Sequence, residues 1–230
     1  MIKSTRNQRG FSLLELSMVL VVIGLIIGAT VVGSNLQRNA LFQKINTGFV
    51  QGWAQAYQSY FTRTGIVVGD DPTTPTLQVN KGTGELCTTL LQTAMDAAGV
   101  RMPAGRAEGQ EDRASYLDSN GNPQEVQVCF NNVPWAVVST APGTYVKRNR
   151  NVMVLKNLTP ALARSLDASI DGKPDARFGR FREQSQADQN TTTTGQPWSI
   201  DNRMKFGSTT ATSQDESQVA VVTAYYLMQE

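Results

Sequence analysis

Glu15 is the side chain whose position in this sequence most needs a chemical explanation. It stands at the head of a run from Leu16 to Gln37 in which no side chain is charged. As a helix rising about 1.5 Å per residue, that run is long enough to cross a bilayer. An ionised group there costs roughly 2.5 kcal/mol or more and is normally kept because it has a functional partner. Two chemistries fit. The carboxylate caps its own helix, where the N-terminal dipole favours an acid by about 0.3–1 kcal/mol, or it pairs with a cation in the low-dielectric layer, each charge removing the other's burial penalty.

The flanking residues orient the run. Lys3, Arg6 and Arg9 precede it with no acid among them, which places the N-terminus in the cytoplasm and the chain beyond about Asn35 on the far side of the membrane. A secretory signal would be cut after its apolar core at a small-residue site such as Gly28-Ala29-Thr30 or Val32-Gly33-Ser34. A carboxylate near the start of that core suits a discarded signal poorly.

The rest of the reactive inventory is narrow. The 230-residue chain contains no histidine, which removes Ser-His-Asp and Cys-His catalysis and histidine-ligated metals. No glycine-rich phosphate loop is present; composition leaves carboxylate-only catalysis open, but the expectation is a chain that is not an enzyme and carries no cofactor. Cys87 and Cys129 lie in the exported part, where oxidising conditions favour a disulfide over two separate thiols. Asp118, Asn120 and Asn122 supply the first donors of a calcium loop, but Pro123 and Cys129 stand where glycine and glutamate are needed, so the segment reads as a hairpin turn. Asp167, Asp171 and Asp175 form a second acidic spacing, in which Asp171 and Asp175 could meet at a cation or cap the strand containing Arg177; a helix stop and turn is the favoured reading. Arg177, Arg180 and Arg182 interleave with Phe178 and Phe181, with Lys147-Arg148-Asn149-Arg150 as a companion patch. Arginines neutralise phosphates and aromatics stack on bases, which makes DNA contact an option. As a strand the same segment would present a buried aromatic face and a solvated basic one, and that reading is preferred.

Arg9-Gly10-Phe11-Ser12-Leu13-Leu14-Glu15 followed by Ser17-Met18-Val19-Leu20-Val21-Val22-Ile23-Gly24-Leu25-Ile26 resembles the N-terminus of a type IV prepilin. The resemblance covers about the first quarter of the chain. It implies cleavage by a prepilin peptidase between Gly10 and Phe11, N-methylation of Phe11, and pairing of Glu15 with the Phe11 amine of a neighbouring subunit during filament assembly. It implies as partners other pilin subunits, the peptidase and an inner-membrane assembly platform. The precursor would sit in the inner membrane with its head in the periplasm, and the assembled filament would be periplasmic or extracellular. A minor pilin is the leading expectation. A type II secretion pseudopilin, or a pilus-tip adhesin or DNA-binding module, is the alternative. Many major pilins carry a proline partway along this helix, whereas Val31-Val32 occupies that region here.

The elements that must position these residues follow from periodicity. Gly24 and Gly28 form a Gly-xxx-Gly pair extended by Ala29 and Gly33, a small face that lets helices approach closely. Phe42, Ile45, Phe49, Trp53, Tyr57 and Tyr60 then recur every three or four residues, predicting an amphipathic helix to about Thr62 whose aromatic stripe packs on a sheet. Gly48 and Gly52 weaken the case for a straight helix.

Beyond it the sequence predicts a helix over 87–98, a hairpin pairing 114–117 with 125–130, and strands over 135–140, 152–155 and 219–228. A second helix over 160–170 has Thr159 as its cap and Gly172 after its end, and 184–196 reads as a mobile polar loop. The fold class is α+β, with a long N-terminal helix, hydrophobic then amphipathic, packed on a small antiparallel sheet head. The expected divisions are a leader at 1–10, a transmembrane or filament-core helix at 11–34, its amphipathic continuation at 35–62 and a head at 63–230. Loss of Lys3, Arg6 and Arg9 takes the 21 basic side chains to 18 against 19 acidic ones, so global attraction to nucleic acid is not expected.

Overall fold

A computed structural model describes residues 12–118, 121–141, 143–191, 193–198 and 221–229, with the side chains of 29–32, 34 and 35 also outside the described set. The chain divides into two compact units, Met1–Ala40 and Leu41–Glu230. Helix α1 spans Leu13–Lys44. In the first unit its described apolar side chains, Leu13 to Ile27, are exposed. Among the described residues no helix is long and apolar enough to cross a membrane. The span expected at 11–34 reaches beyond the described side chains at both ends.

The second unit begins at Leu41 because the aromatic stripe starting at Phe42 belongs to the core of the head. The expected single helix is interrupted there: Ile45–Val50 is a π-helix, and α2 (Gln51–Thr64) follows it and ends at Gly65 in the left-handed conformation (φ 73°). A π turn hydrogen-bonds i→i+5 and leaves a carbonyl without its usual partner. The Thr47 hydroxyl donates to the Gln43 carbonyl at 2.9 Å, and the missing Cβ of Gly48 leaves open space on the outer side.

The sheet is antiparallel with order β1-β3-β4-β6-β5 and β2 paired beside β1 on β3. Its strands are β1 (Leu86–Cys87), β2 (Arg113–Leu117), β3 (Pro123–Val138), β4 (Tyr145–Leu158), β5 (Phe181–Glu183) and β6 (Val222–Leu227). Helices α3 (Thr88–Ala97) and α4 (Pro160–Asp171) complete the head. This is the α+β, pilin-like architecture.

Two separately expected strands, 125–130 and 135–140, are one 16-residue strand, β3. Pro134 lies inside it, at a position pointing away from β4, so its missing N–H removes no ladder bond. Thr159 caps α4 as expected, its hydroxyl accepting from the Leu162 N–H at 3.4 Å, and Gly172 follows at φ 81°. Around the β2–β3 turn Ser119 and Asn120 lie outside the described residues; the Asp118 N–H donates to the Asn122 carbonyl at 2.9 Å.

Alternation along the strands sends side chains to two cores. On one face Val126, Val128, Phe130, Met153, Leu155 and Tyr226 meet Trp53 and Tyr57 of α2, Leu91 and Met95 of α3, and Leu162 and Leu166 of α4. Phe130 is the hub, 5.1 Å from the Tyr57 ring and 6.2 Å from Trp53. Full burial of such a side chain contributes about 1.5–3 kcal/mol. On the other face Cys129, Val133, Trp135, Val152, Val154 and Tyr225 enclose a smaller core with Ala187. The segment expected as a mobile loop is tied there: Ala187 is buried and its carbonyl accepts from the Ala136 N–H at 2.8 Å. The sheet therefore curls until the β5 end meets the outer edge of β3.

Candidate assembly segment and charged clusters of the head

Glu15 sits in the first turn of α1, where the Ser12 hydroxyl accepts from the Leu14 N–H at 3.2 Å and the Ser12 carbonyl from the Leu16 N–H at 3.1 Å. Ser12 favours a helix start because its side chain satisfies an N–H that the helix itself cannot. The carboxylate is exposed at the positive end of the helix dipole, with no hydrogen bond or ion pair among the described residues. Gly10 and Phe11, where the sequence leads one to expect cleavage and methylation, lie outside the described residues. At Gly24 and Gly28 an added Cβ would have no atom within 4 Å, so this chain leaves the small face open.

The cysteines are brought together. Cys87 and Cys129 are directly paired positions of β1 and β3 and form a disulfide. Glu85 lies with them in a group whose ligand atoms are within 4.8 Å of one another. The bridged sulfurs offer no thiolate, however, and Glu85 forms an ion pair with Lys156 at 2.5 Å.

Asp167, Asp171 and Asp175 share one corner but do not reach that 4.8 Å spacing. Each binds backbone instead. The Asp171 carboxylate accepts from the N–H groups of Arg180 and Phe181, both at 2.8 Å. Asp175 accepts from the N–H groups of Arg177, Phe178 and Gln196. Asp167 is fully buried: its Oδ2 accepts from the Trp198 indole at 2.5 Å and the Asp175 N–H at 2.6 Å, while Oδ1 has no partner. Burial raises its pKa to about 7, against the lowering effect of these hydrogen bonds, and Asp171 and Asp175 push it further up.

The arginines considered for DNA contact are engaged within the fold. Arg177 is buried and donates to the Gln189 carbonyl at 3.0 Å. Arg180 donates to the Leu227 carbonyl at 3.1 Å and lies 5.4 Å from the Tyr226 ring centroid. Arg182 donates to the carbonyls of Gly179, Ala136 and Ala187 and stacks over Trp135 at 4.2 Å. Burial lowers its pKa to about 10, which leaves it charged at neutral pH. The expected strand with a solvated basic face is not found: only Phe181–Glu183 is strand, Arg177 is buried, and the cations are drawn to backbone carbonyls, where they bolt β5 to β3 and β6. The sequence signal that escaped notice was Trp135, the face on which Arg182 rests.

Residues 5–31 match the family described as the prokaryotic N-terminal methylation motif. No curated protein and no solved structure matches the chain. The matched segment contains Gly10, Phe11, Glu15, Gly24 and Gly28, and the fold behind it is a helix followed by an antiparallel sheet. The match supports a type IV pilin-like, or prepilin-like, protein.

Proposed function

We propose that this chain is a structural, non-catalytic subunit of a type IV pilus-like filament, acting as a minor pilin. The observation that carries the reading is Glu15, an acid held in the exposed first turn of an apolar helix, within the matched methylation motif. Prepilin peptidase removes residues 1–10 after Gly10, and Phe11 is methylated. Residues 11–34 hold the precursor in the inner membrane with the head in the periplasm, and an assembly platform then passes the subunit to the filament. There the Phe11 amine and the Glu15 carboxylate of adjoining subunits neutralise one another in a dry core. Gly24 and Gly28 supply the close-packing face.

The length and irregularity of the head favour a minor over a bulk subunit. Mass spectrometry of the native protein is expected to find a chain beginning at methylated Phe11, and an intact leader would defeat the assignment. The Glu15→Ala variant is expected to accumulate in the membrane while its content in sheared filaments falls roughly tenfold or more, because one partner of a buried ion pair is left uncompensated. Undiminished incorporation would remove Glu15 from assembly.

A further inference from the structure

The β3–β4 ribbon has one closed side and one open side. The Ser139 N–H donates to the Thr144 carbonyl at 2.8 Å, and continuing that ladder points the backbone groups of Tyr145, Lys147, Asn149 and Asn151 away from β3. At Asn151 the carbonyl accepts from the Met228 N–H at 3.0 Å, where β6 ends. Beyond that point, among the described residues, nothing pairs with the outward N–H and C=O groups of Lys147 and Asn149. The β3 side is closed: Ala136 is bonded to Ala187 and Arg182, and Pro134 has no N–H.

The open edge carries a definite charge. Arg148 and Arg150 are two positions apart, hence on one face, with no carboxylate within ion-pair distance among the described residues. Lys147 projects to the other face and pairs with Asp188 at 2.6 Å. No acid occurs between Tyr145 and Lys156. Val146 and Val138, 38% and 67% exposed, add apolar surface toward the tip.

We propose that this edge docks an extended acidic segment of another protein chain, which adds a strand beside β4 with its carboxylates across from Arg148 and Arg150. An added strand satisfies outward donors and acceptors together, which gives affinity, while facing side chains select the partner. A second copy of the same edge is disfavoured, because it would set arginines beside arginines. Nucleic acid fits less well: phosphates accept from the edge N–H groups but cannot donate to its carbonyls.

The test uses the full-length protein in detergent micelles and a fluorescent, blocked peptide alternating glutamate and valine, followed by anisotropy. Saturable binding that weakens with salt is expected, with slowed hydrogen exchange at the Lys147 and Asn149 amides. Joint Arg148→Glu and Arg150→Glu substitution is expected to weaken binding roughly tenfold or more, since like charges then face across the ladder. Asn149→Pro is expected to abolish it with the charges intact; the exchange measurement on unaltered protein stands if that variant misfolds. The proposal is overturned by absence of binding at millimolar peptide or by binding that leaves both amides unprotected. It is equally overturned by equal binding of an alternating lysine–valine peptide or of oligothymidylate, or by self-association of the protein through this edge.

Discussion

At Asp167 a fully enclosed carboxyl has one oxygen bonded to Trp198 and Asp175 and the other facing no donor. Its folded pKa, about 7, lies above the ordinary value of 3.8, so between those values the folded state holds a proton that the unfolded chain releases. The sign follows: this stabilisation is complete below about pH 4 and is lost as pH rises toward 7, on the order of 4 kcal/mol in all. Asp167→Asn keeps an oxygen acceptor for the indole and removes the titration. Urea denaturation at a series of pH values is expected to show a slope in the wild type over this window that the variant lacks; equal slopes would exclude the effect. At Arg182 the guanidinium serves three carbonyls and one indole face at once. Arg182→Ala takes a donor from all three, although the Ala187 carbonyl keeps the Ala136 N–H, and is expected to cost about 2–4 kcal/mol by chemical denaturation. A loss below 0.5 kcal/mol would mean the sheet edge closes without it. The sequence showed the basic-aromatic alternation of this segment, but whether the cations faced solvent or carbonyls depended on residues about 45 positions away.

The helical elements show the same contrast at short range. Gly48 and Gly52 are one turn apart and carry the same helix penalty in sequence. In the structure a Cβ at Gly48 meets nothing within 4 Å, whereas at Gly52 it would lie 2.8 Å from the Cβ of Pro103. Gly48→Ala is expected to stabilise the head by up to about 1 kcal/mol. Gly52→Ala must displace Pro103 and is expected to cost about 1–3 kcal/mol from overpacking. Thermal melts of the two variants should therefore move in opposite directions, and parallel shifts would contradict the packing around Pro103. Helix α4, by contrast, was legible end to end, because its Thr159 cap and Gly172 stop act on neighbours within a few residues. The π turn was not, since the sequence marks only that a glycine lies in the stretch.

For the whole molecule, the Cys87–Cys129 bridge ties the short edge strand β1 to the centre of the sheet across 42 residues. A loop of that length stabilises the folded state by about 4 kcal/mol in the chain-entropy model. Cys87→Ser with Cys129→Ser is expected to lower the unfolding free energy by about that amount with little change in far-UV dichroism; an unchanged midpoint would show that β1 docks without the bridge. By itself the sequence determined the N-terminal segment, the pairing of 114–117 with 125–130, the capped helix and, with only two cysteines present, which thiols can pair. Those features arise from periodicity, local capping and counting. Tertiary structure alone decided that the arginine cluster closes a curled sheet, that the polar stretch around Ala187 packs on a second core, and that β4 keeps an open basic edge. Each of these depends on which distant strand lies alongside, and hydrophobic alternation fixes the face a residue takes but not the neighbour it meets.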